Sequence, residues 1–282
     1  MGGLFDRARE RYRPPLAGVE YVAAELGNRG ELERVVSRGV DYVVHLASST
    51  VPKTSNDDPI FDVRMNLVES IALLELCREH GVRKIVFFSS GGTVYGVPST
   101  LPVSEAHPTD PLCSYGIVKL AVEKYLQCFY LLHGLGYVAL RVSNAYGTRQ
   151  NPASQQGVIP VFMHRVLNDE PLRIWGDGSV VRDFVAVKDI AALCAAALLS
   201  DENGVFNAGS GTGASLNEIL DEIGAVTGKA PMVVREPSRS FDVPAIVLDC
   251  EKARRAFGWS ARTPLREGLA ELAQWLRATS AS

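Results

Sequence analysis

Short apolar runs alternate with segments of helical periodicity along this 282-residue chain. The run at 84–90 is almost continuously apolar, as expected for a strand buried on both faces. Segment 61–81 repeats apolar residues at i, i+3, i+4 and i+7 and ends in glycine, which predicts a helix. The first half is predicted to contain strands at 19–26, 40–48, 84–90 and 137–144, and helices at 29–39, 61–81 and 115–134. This rhythm predicts an α/β fold with a parallel sheet covered by helices.

The pattern changes after Asn144, where a polar loop with Gly and Pro begins. A helix is predicted at 215–228, because Ser215 and Glu218 have the spacing of a capping box. The other predicted elements are a helix at 157–170, a strand and turn at 172–179, a strand and helix at 183–200, a short strand at 204–211 and an amphipathic tail at 264–278. The second half is therefore predicted to be a smaller domain interleaved with late elements of the sheet.

Composition and charge argue against several classes of function. Lys and Arg number 29 against 32 Asp and Glu, so the net charge of −3 provides no basic surface for nucleic acid or for a membrane. The longest apolar run is far below the roughly 20 residues that cross a bilayer, and the N-terminus has no apolar signal region. The five dispersed cysteines favour reduced thiols in the cytoplasm over disulfides or a metal site.

Tyr115 and Lys119 stand four residues apart at the start of a predicted helix, so they share one face. A free tyrosine has a pKa of about 10 and is a weak base at neutral pH. A lysine cation one turn away favours the phenolate. Because YxxxK also occurs by chance, the spacing alone favours the simpler alternative, a surface lysine beside a half-buried tyrosine on an amphipathic helix.

The segment before this helix adds a second indication of a ligand site. The strand at 84–90 runs into FFSSGGTVYG at 87–96, so hydroxyls and glycines stand at the carboxyl edge of the predicted sheet. Open α/β folds bind ligands at that edge, and glycines let a ligand approach the backbone closely. The alternative is a turn that only caps the strand.

Six motifs occur in a recognisable order: HLAS (45–48), the helix with Asn66, SSGGTVYG (89–96), YGIVK (115–119), LRVSNAYGTRQ (140–150) and RDFVAVKDIA (182–191). Together they resemble the extended short-chain dehydrogenase/reductase family, and most of all its NAD-dependent epimerase/dehydratase branch, which acts on nucleotide sugars. The resemblance runs from about Phe5 to the C-terminus. It implies a Rossmann-like parallel sheet and a smaller C-terminal domain. The implied NAD-binding domain covers 1–150 together with 183–209, and residues 151–282 mainly form a nucleotide-sugar-binding domain.

The resemblance implies roles for individual residues. Tyr115 matches the base that takes the proton of the sugar 4-hydroxyl while the hydrogen on C4 leaves as hydride to NAD. Lys119 matches the residue that binds the nicotinamide ribose and lowers the tyrosine pKa. The implied catalytic residues are Tyr115, Lys119, Thr93 and Ser90. The implied cofactor contacts are Asp6, Glu25, Leu26, Leu46, Ala47, Ser48, Asn66, Ser89, Tyr115 and Lys119. The implied substrate contacts are Thr93, Asn144, Arg182, Arg239 and Asp242.

Two of these substrate contacts, Arg182 and Arg239, suit a diphosphate because a guanidinium is planar and permanently charged. The alternative for each is a solvated surface charge.

The sequence departs from the epimerase pattern at Gly91. Epimerases of the family carry Ser or Thr there, whose hydroxyl binds the sugar 4-oxygen, and Thr93 is the favoured substitute, with Ser90 as the other option. Dehydratases of this branch carry Asp-Glu at the positions of Gly92 and Thr93, so elimination of water is not expected. Ile246 stands where the family has its determinant of sugar size, and it matches neither the large nor the small variant.

The start of the chain also departs from the family. Members begin with a strand, a GxxGxxG loop, a helix and a second strand ending in an Asp that binds the adenosine ribose. Only five residues precede Asp6, the match to that Asp, whereas a βαβ unit needs roughly 30. GSGTG at 209–213 precedes a helix but comes too late in the order to hold the pyrophosphate. The expectation is a family member without its first glycine-rich unit and with severely weakened NAD affinity.

Three functions remain open at this point. The leading one is an NAD-dependent epimerase acting at C4 of a nucleotide-diphosphate sugar by transient hydride transfer. The second is a reductase of a 4-keto nucleotide sugar, and the third is a non-catalytic remnant of the family. The resemblance also implies a homodimer through helices 61–81 and 115–134, although packing on the sheet would equally explain their apolar stripes.

Overall fold

The computed structural model describes residues 16–152, 157–238 and 243–280, and these form an α/β fold. The elements along the chain are α1 (Arg29–Val36), β1 (Tyr42–His45), α2 (Pro59–Asp62), a π-helical turn (Val63–Val68), α3 (Glu69–Glu79), β2 (Lys84–Ser90), α4 (Ser114–His133), β3 (Gly136–Val142), β4 (Asn144–Tyr146), α5 (Val158–Leu167), β5 (Leu172–Trp175), β6 (Val181–Ala186), α6 (Val187–Leu199), β7 (Gly204–Ala208), β8 (Gly213–Ser215), α7 (Leu216–Thr227), β9 (Val233–Glu236), β10 (Ala245–Ile246), α8 (Glu251–Phe257) and α9 (Leu265–Ser280).

The main sheet within the described ranges runs in the order β1-β2-β3-β7, with every neighbouring pair parallel. Ile85 and Phe87 of β2 pack toward α3 and α4 on one face, while Val86 packs toward α6 on the other. This two-sided burial explains the continuous apolar run of β2. The outer edge of β1 pairs with no strand of the described part of the chain, and Val44 there is partly exposed.

The prediction of a strand at 19–26 is wrong. Residues 18–24 form no regular element and end in a turn at 26–27. The exposed fractions of Val19 and Tyr21 are 50% and 58%. Apolar residues stabilise a strand only where a neighbouring strand takes up the backbone hydrogen bonds, and this segment has no such partner in the described residues.

The helix predicted at 61–81 is present but is built from three pieces. Asp58 caps α2 by accepting a hydrogen bond from the Phe61 N–H at 2.9 Å, and Pro59 occupies the first turn. The π-helical turn then leads into α3. Such turns often occur at functional sites, and this one carries Asn66, a predicted cofactor contact.

A second group of strands lies beside the main sheet. β6 pairs with β4 and β10 in parallel and with β8 antiparallel, while β5 pairs with β9. Helices α5, α7 and α9 surround a separate apolar core that includes Ile159, Ile219 and Leu272. Ser215 and Glu218 make the predicted capping box at the start of α7. Within 183–209, α6 packs on the main sheet and β7 belongs to that sheet, whereas β6 pairs with strands of the second group. The predicted domain boundaries stay a prediction.

Candidate active site

Helix α4 brings Tyr115 and Lys119 to the carboxyl edge of the main sheet. Lys119 is buried on the face of α4 that packs against β2, and its Nζ donates a hydrogen bond to the Phe88 carbonyl at 2.9 Å. The same Nζ lies 4.7 Å from the ring centroid of Phe87 and 5.5 Å from that of Tyr115. The spacing of four residues therefore produces the shared face that the sequence predicts.

Burial controls the proton affinity of this pair in the ligand-free protein. Burial, with smaller contributions from the neighbouring Cys113 and Asp62, raises the pKa of Tyr115 to about 12. Burial lowers the pKa of Lys119 to about 8, while Asp62 acts in the opposite direction. The phenol thus keeps its proton at neutral pH, and the lysine cation does not outweigh the loss of hydration around the tyrosine.

A cavity of about 440 Å³ opens beside the start of α4. It is lined by Pro52, Lys53, Asn56, Gly92, Thr93, Gly96, Leu112, Cys113, Arg182 and Val243. Cys113 directly precedes the first turn of α4, and the Thr93 carbonyl lies against Gly116, where an added Cβ would be 2.8 Å away. The cavity wall is therefore contiguous with the turn that carries Tyr115.

Thr93 is one of the residues that line this cavity. Its Oγ1 is buried and has no hydrogen-bond partner within the described residues. Since a buried hydroxyl is normally paired, Thr93 has the capacity to bind a ligand oxygen. Ser90 ends β2 on the face opposite to Ser89 and does not line the cavity.

Gly91 is confined by its neighbours. A Cβ at this position would lie 2.5 Å from Leu248 Cδ1 and 2.9 Å from the Arg141 carbonyl, so Leu248 occupies the space of a side chain. At Gly92, by contrast, a Cβ would meet only Asn144 Oδ1 at 3.6 Å. Asn144 therefore lies next to Gly92 of the cavity wall, and its contact with a substrate stays a prediction.

Arg182 brings positive charge to the cavity wall. Its Nη1 donates to the Val181 carbonyl at 2.8 Å and to the Val243 carbonyl at 2.7 Å. These bonds orient the guanidinium from the strand that carries it. Arg239 and Asp242, the other predicted charged contacts, lie outside the described residues, as does Asp6.

The predicted cofactor segment follows β1. Leu46, Ala47 and Ser48 are exposed there, with Leu46 at 59%. Asn66 is buried beneath them, and its Oδ1 accepts a hydrogen bond from the Ser49 N–H at 2.7 Å. The asparagine thus supports the loop at 48–50, and its role beside a cofactor stays a prediction.

Three other predicted cofactor contacts differ in their surroundings. Glu25 is exposed, and Leu26 is half-buried against the core between β2 and α3. Ser89 is buried, and its hydroxyl donates to Glu123 Oε1 at 2.5 Å. Their contact with a cofactor stays a prediction.

Two sequence features have structural roles in this chain. Ile246 is buried in a small core with Val94 and Tyr95 and is not among the cavity residues. In the glycine-rich stretch 209–213, the backbone N–H groups of Ser210 and Gly211 donate to the Asp183 carboxylate. Because this carboxylate already binds the loop amides, the stretch offers no phosphate cradle.

Sequence reasoning missed several residues of this region. Lys53 and Asn56 reach the cavity from the loop after HLAS, and Cys113 reaches it from the turn before α4. Asp62 is fully buried and bonds to Ser114, beside Tyr115. A carboxylate inside an otherwise apolar helical repeat was the available signal for Asp62, whereas nothing in the sequence distinguished Lys53 from a surface lysine.

The described residues contain no His, Cys, Asp or Glu group suited to a metal ion. None of the helices in the described ranges is both long enough and apolar enough to cross a membrane.

A Rossmann-like sheet with a Tyr-x-x-x-Lys pair at its carboxyl edge, the lysine buried and the tyrosine half-buried, defines a dinucleotide-dependent enzyme of the short-chain dehydrogenase/reductase type. Residues 4–209 match the NAD dependent epimerase/dehydratase family. The protein belongs to this family.

Relatives over most of the chain agree with this assignment. A UDP-glucose 4-epimerase from Mycolicibacterium smegmatis is 34% identical, covering 92% of this chain and 83% of its own. A dTDP-4-dehydro-6-deoxyglucose reductase from Escherichia coli is 32% identical, covering 88% and 78%. The crystal structure of Thermus thermophilus UDP-glucose 4-epimerase in complex with NAD superposes with a TM-score of 0.88 at 36% identity, covering 93% of this chain and 86% of that one. The Rossmann-like fold and the family predicted from the sequence motifs are confirmed.

Proposed function

We propose that this protein is an NAD-dependent epimerase that inverts C4 of a nucleotide-diphosphate sugar. The observation that carries the proposal is the Tyr115–Lys119 pair, with its buried lysine, beside a cavity lined by Thr93 and Arg182. UDP-glucose 4-epimerases among the relatives support UDP-glucose and UDP-galactose as the first substrates to test.

In this proposal Tyr115 holds and moves the proton of the sugar 4-hydroxyl. The unpaired Thr93 hydroxyl binds the 4-oxygen and keeps it near the phenol. Lys119 places a positive charge beside the ring, which stabilises the phenolate as the proton is transferred. Arg182 and Asn144 bind the diphosphate side of the substrate.

The described residues are suited to bind the nicotinamide half of NAD. Lys119 carries three N–H donors, and the structure shows one of them used, on the Phe88 carbonyl. The remaining donors suit the ribose hydroxyls, and the exposed segment 46–48 suits contact with the cofactor along the sheet edge. Bound NAD supplies hydride acceptance and return at C4.

The decisive experiment follows interconversion of UDP-galactose and UDP-glucose by the purified protein without reduced cofactor and with NAD in large excess, because the sequence predicts weak NAD binding. We expect turnover in the wild type and loss of about 10³-fold or more in Tyr115→Phe, which removes only the titrating oxygen. The exposed Tyr130 on the same helix is the matched control, and Tyr130→Phe keeps wild-type turnover. A wild type that converts neither sugar contradicts the proposal.

A second candidate is reduction of a 4-keto nucleotide sugar, and the similarity to the Escherichia coli reductase favours it. The two reactions differ in cofactor use. A reductase consumes one reduced cofactor for each product, whereas an epimerase needs only catalytic NAD. Oxidation of NADH or NADPH in step with a 4-keto substrate, without sugar interconversion, would select the reductase.

A homodimer through the helical segment 61–81 and α4 forms part of the proposal. On α4, Ile117, Tyr125 and Leu132 are exposed along one stripe of the helix, and in the segment before α3, Phe61 of α2 and Val68 of the π-helical turn are exposed. Apolar stripes of this kind are usually buried by another surface. We also propose a cytoplasmic location, which the five free cysteines support.

A further inference from the structure

A fully buried carboxylate lies directly behind the first turn of α4. Asp62 Oδ1 accepts hydrogen bonds from Thr50 Oγ1 at 2.6 Å and from Asn66 Nδ2 at 2.8 Å. Its Oδ2 accepts one from Ser114 Oγ at 2.6 Å. All three donors are neutral, and Asp62 forms no ion pair with any described residue.

These bonds join three segments of the candidate site. Thr50 belongs to the loop that follows the cofactor segment, Asn66 to the π-helical turn, and Ser114 is the residue before Tyr115. The Ser114 N–H also donates to Asn56 Oδ1 at 2.9 Å, from the cavity wall. The orientation of the first turn of α4 therefore depends on contacts that converge on Asp62 and Asn56.

Among the described carboxylates, Asp62 is the one whose charge acts on Lys119. On β1, burial lowers the pKa of His45 to about 4, with a further contribution from Lys119, so this imidazole is neutral. On α4 itself, the Glu123 carboxylate is paired with Arg141 at 2.7 Å. Tyr115 is protonated, and β2 contributes only the Phe87 ring and the Phe88 carbonyl. The Asp62 carboxylate raises the pKa of Lys119 against the effect of burial.

We propose that Asp62 is a positioning residue for the Tyr115–Lys119 pair: it clamps the first turn of α4 to the cofactor-side loop and places a buried negative charge behind the turn that carries this pair. The catalytic meaning of this role rests on the proposed function. The clamp and the charge belong to the folded chain itself and are measurable without turnover.

The test separates charge from hydrogen bonding. Asp62→Asn keeps the size of the side chain and removes its charge. Ser114→Ala removes one bond of the clamp and leaves the charge. Asp58→Asn is the matched control, because Asp58 is exposed on the same helical segment and asparagine also caps helices well. The titration of Lys119 is followed by NMR of ¹³C-labelled lysine side chains, with its signal assigned by its loss in Lys119→Arg.

We expect Lys119 in Asp62→Asn to titrate about one pH unit or more below its value in the wild type. In Ser114→Ala and Asp58→Asn the titration of Lys119 stays as in the wild type. In the epimerase assay, the alkaline limb of the kcat profile moves to lower pH in Asp62→Asn. In Ser114→Ala, kcat falls about 10-fold or more at every pH with KM retained. Asp62→Glu restores the titration of Lys119, because it retains the charge.

An unchanged Lys119 titration in folded Asp62→Asn overturns the electrostatic role, and wild-type kcat in Ser114→Ala overturns the clamp. If Asp62→Asn does not fold, the titration of Lys119 in Asp62→Glu tests the role of the charge. A pKa of Lys119 below that of the wild type in this variant contradicts that role. A wild type without turnover contradicts the proposed function, whereas the titration still decides the role of Asp62.

Discussion

Arg141 and Glu123 form an ion pair inside the protein, with 2.7 Å between Arg141 Nη2 and Glu123 Oε2 and side chains that are 5% and 1% exposed. The pair joins β3 to α4 one turn beyond Lys119. Ser89 adds a hydrogen bond to the same carboxylate, and the Tyr95 ring lies 4.8 Å from the guanidinium carbon. The helix that carries the candidate catalytic pair is therefore fixed to the sheet by charge as well as by apolar contact.

Removing one partner of this pair leaves a buried charge without compensation. We expect Glu123→Ala to lower the free energy of unfolding by about 3–5 kcal/mol, measured by urea denaturation. The exposed neighbour Lys124 is the control, and Lys124→Ala changes it by less than about 0.5 kcal/mol. The double variant Glu123→Leu with Arg141→Leu recovers much of the loss, because it buries no charge. Equal instability of the double and single variants would contradict this explanation.

Gly91 cannot accept the hydroxyl side chain of the epimerase pattern without movement of its neighbours. We expect Gly91→Ser to cost about 1–3 kcal/mol of unfolding free energy, since its Cβ would lie 2.5 Å from Leu248 Cδ1. Combining it with Leu248→Ala gives a smaller loss than the sum of the two single changes. Gly92→Ala is the comparison, because the space there is adequate. Strict additivity of Gly91→Ser and Leu248→Ala would show that their side chains do not compete.

His45 makes the stability of the protein depend on pH. Burial lowers the pKa of this imidazole to about 4, below its unfolded value of 6.5. Between these values the unfolded chain binds a proton that the folded chain does not, so stability is fully present above pH 6.5 and is lost as pH falls toward 4. The loss amounts to about 3 kcal/mol.

Urea denaturation at a series of pH values measures this effect. We expect His45→Gln to be less sensitive to acid between pH 6.5 and 4 than the wild type. His133 is exposed at the end of α4, and His133→Gln leaves the pH dependence unchanged. A parallel loss of stability in wild type and His45→Gln would assign the acid sensitivity to other groups.

The unpaired Thr93 hydroxyl allows catalysis to be separated from folding. Thr93→Val replaces the hydroxyl by a methyl group of similar size and breaks no hydrogen bond within the described residues. We expect its melting temperature to stay at or above that of the wild type, while kcat falls about 10²-fold. Thr93→Ser retains the oxygen and most of the activity. Full activity in Thr93→Val would remove Thr93 from the catalytic residues.

The proposed dimer predicts an effect of charge on the exposed stripe of α4. Leu132→Glu places a carboxylate where the partner surface would bury it, so we expect a monomer by sedimentation at micromolar concentration. Leu199 on α6 is also exposed, outside this stripe, and Leu199→Glu keeps the dimer. A wild-type monomer would contradict the proposal directly.

The sequence predicted elements well where local signals coincide. The prediction for helix α4 was accurate to one residue at each end. The apolar periodicity runs up to Gly134, which ends the helix in the left-handed conformation at φ 71°. Strand 19–26 was wrong because pairing decides whether an apolar run forms a strand. The role of Asp62 was not predicted, because two of its partners, Thr50 and Ser114, are distant in sequence and meet it only in the folded protein.

Arg182 and Asp183 are consecutive on β6 and point in opposite directions, one to the cavity wall and the other to the loop at 210–211 and the Leu248 amide. Because side chains alternate along a strand, a shift of β6 by one residue would exchange them. The cavity would then receive a carboxylate in place of a guanidinium, and the loop amides would lose their acceptor. The sign of the charge presented to an anionic ligand is thus secured by the pairing of one short strand.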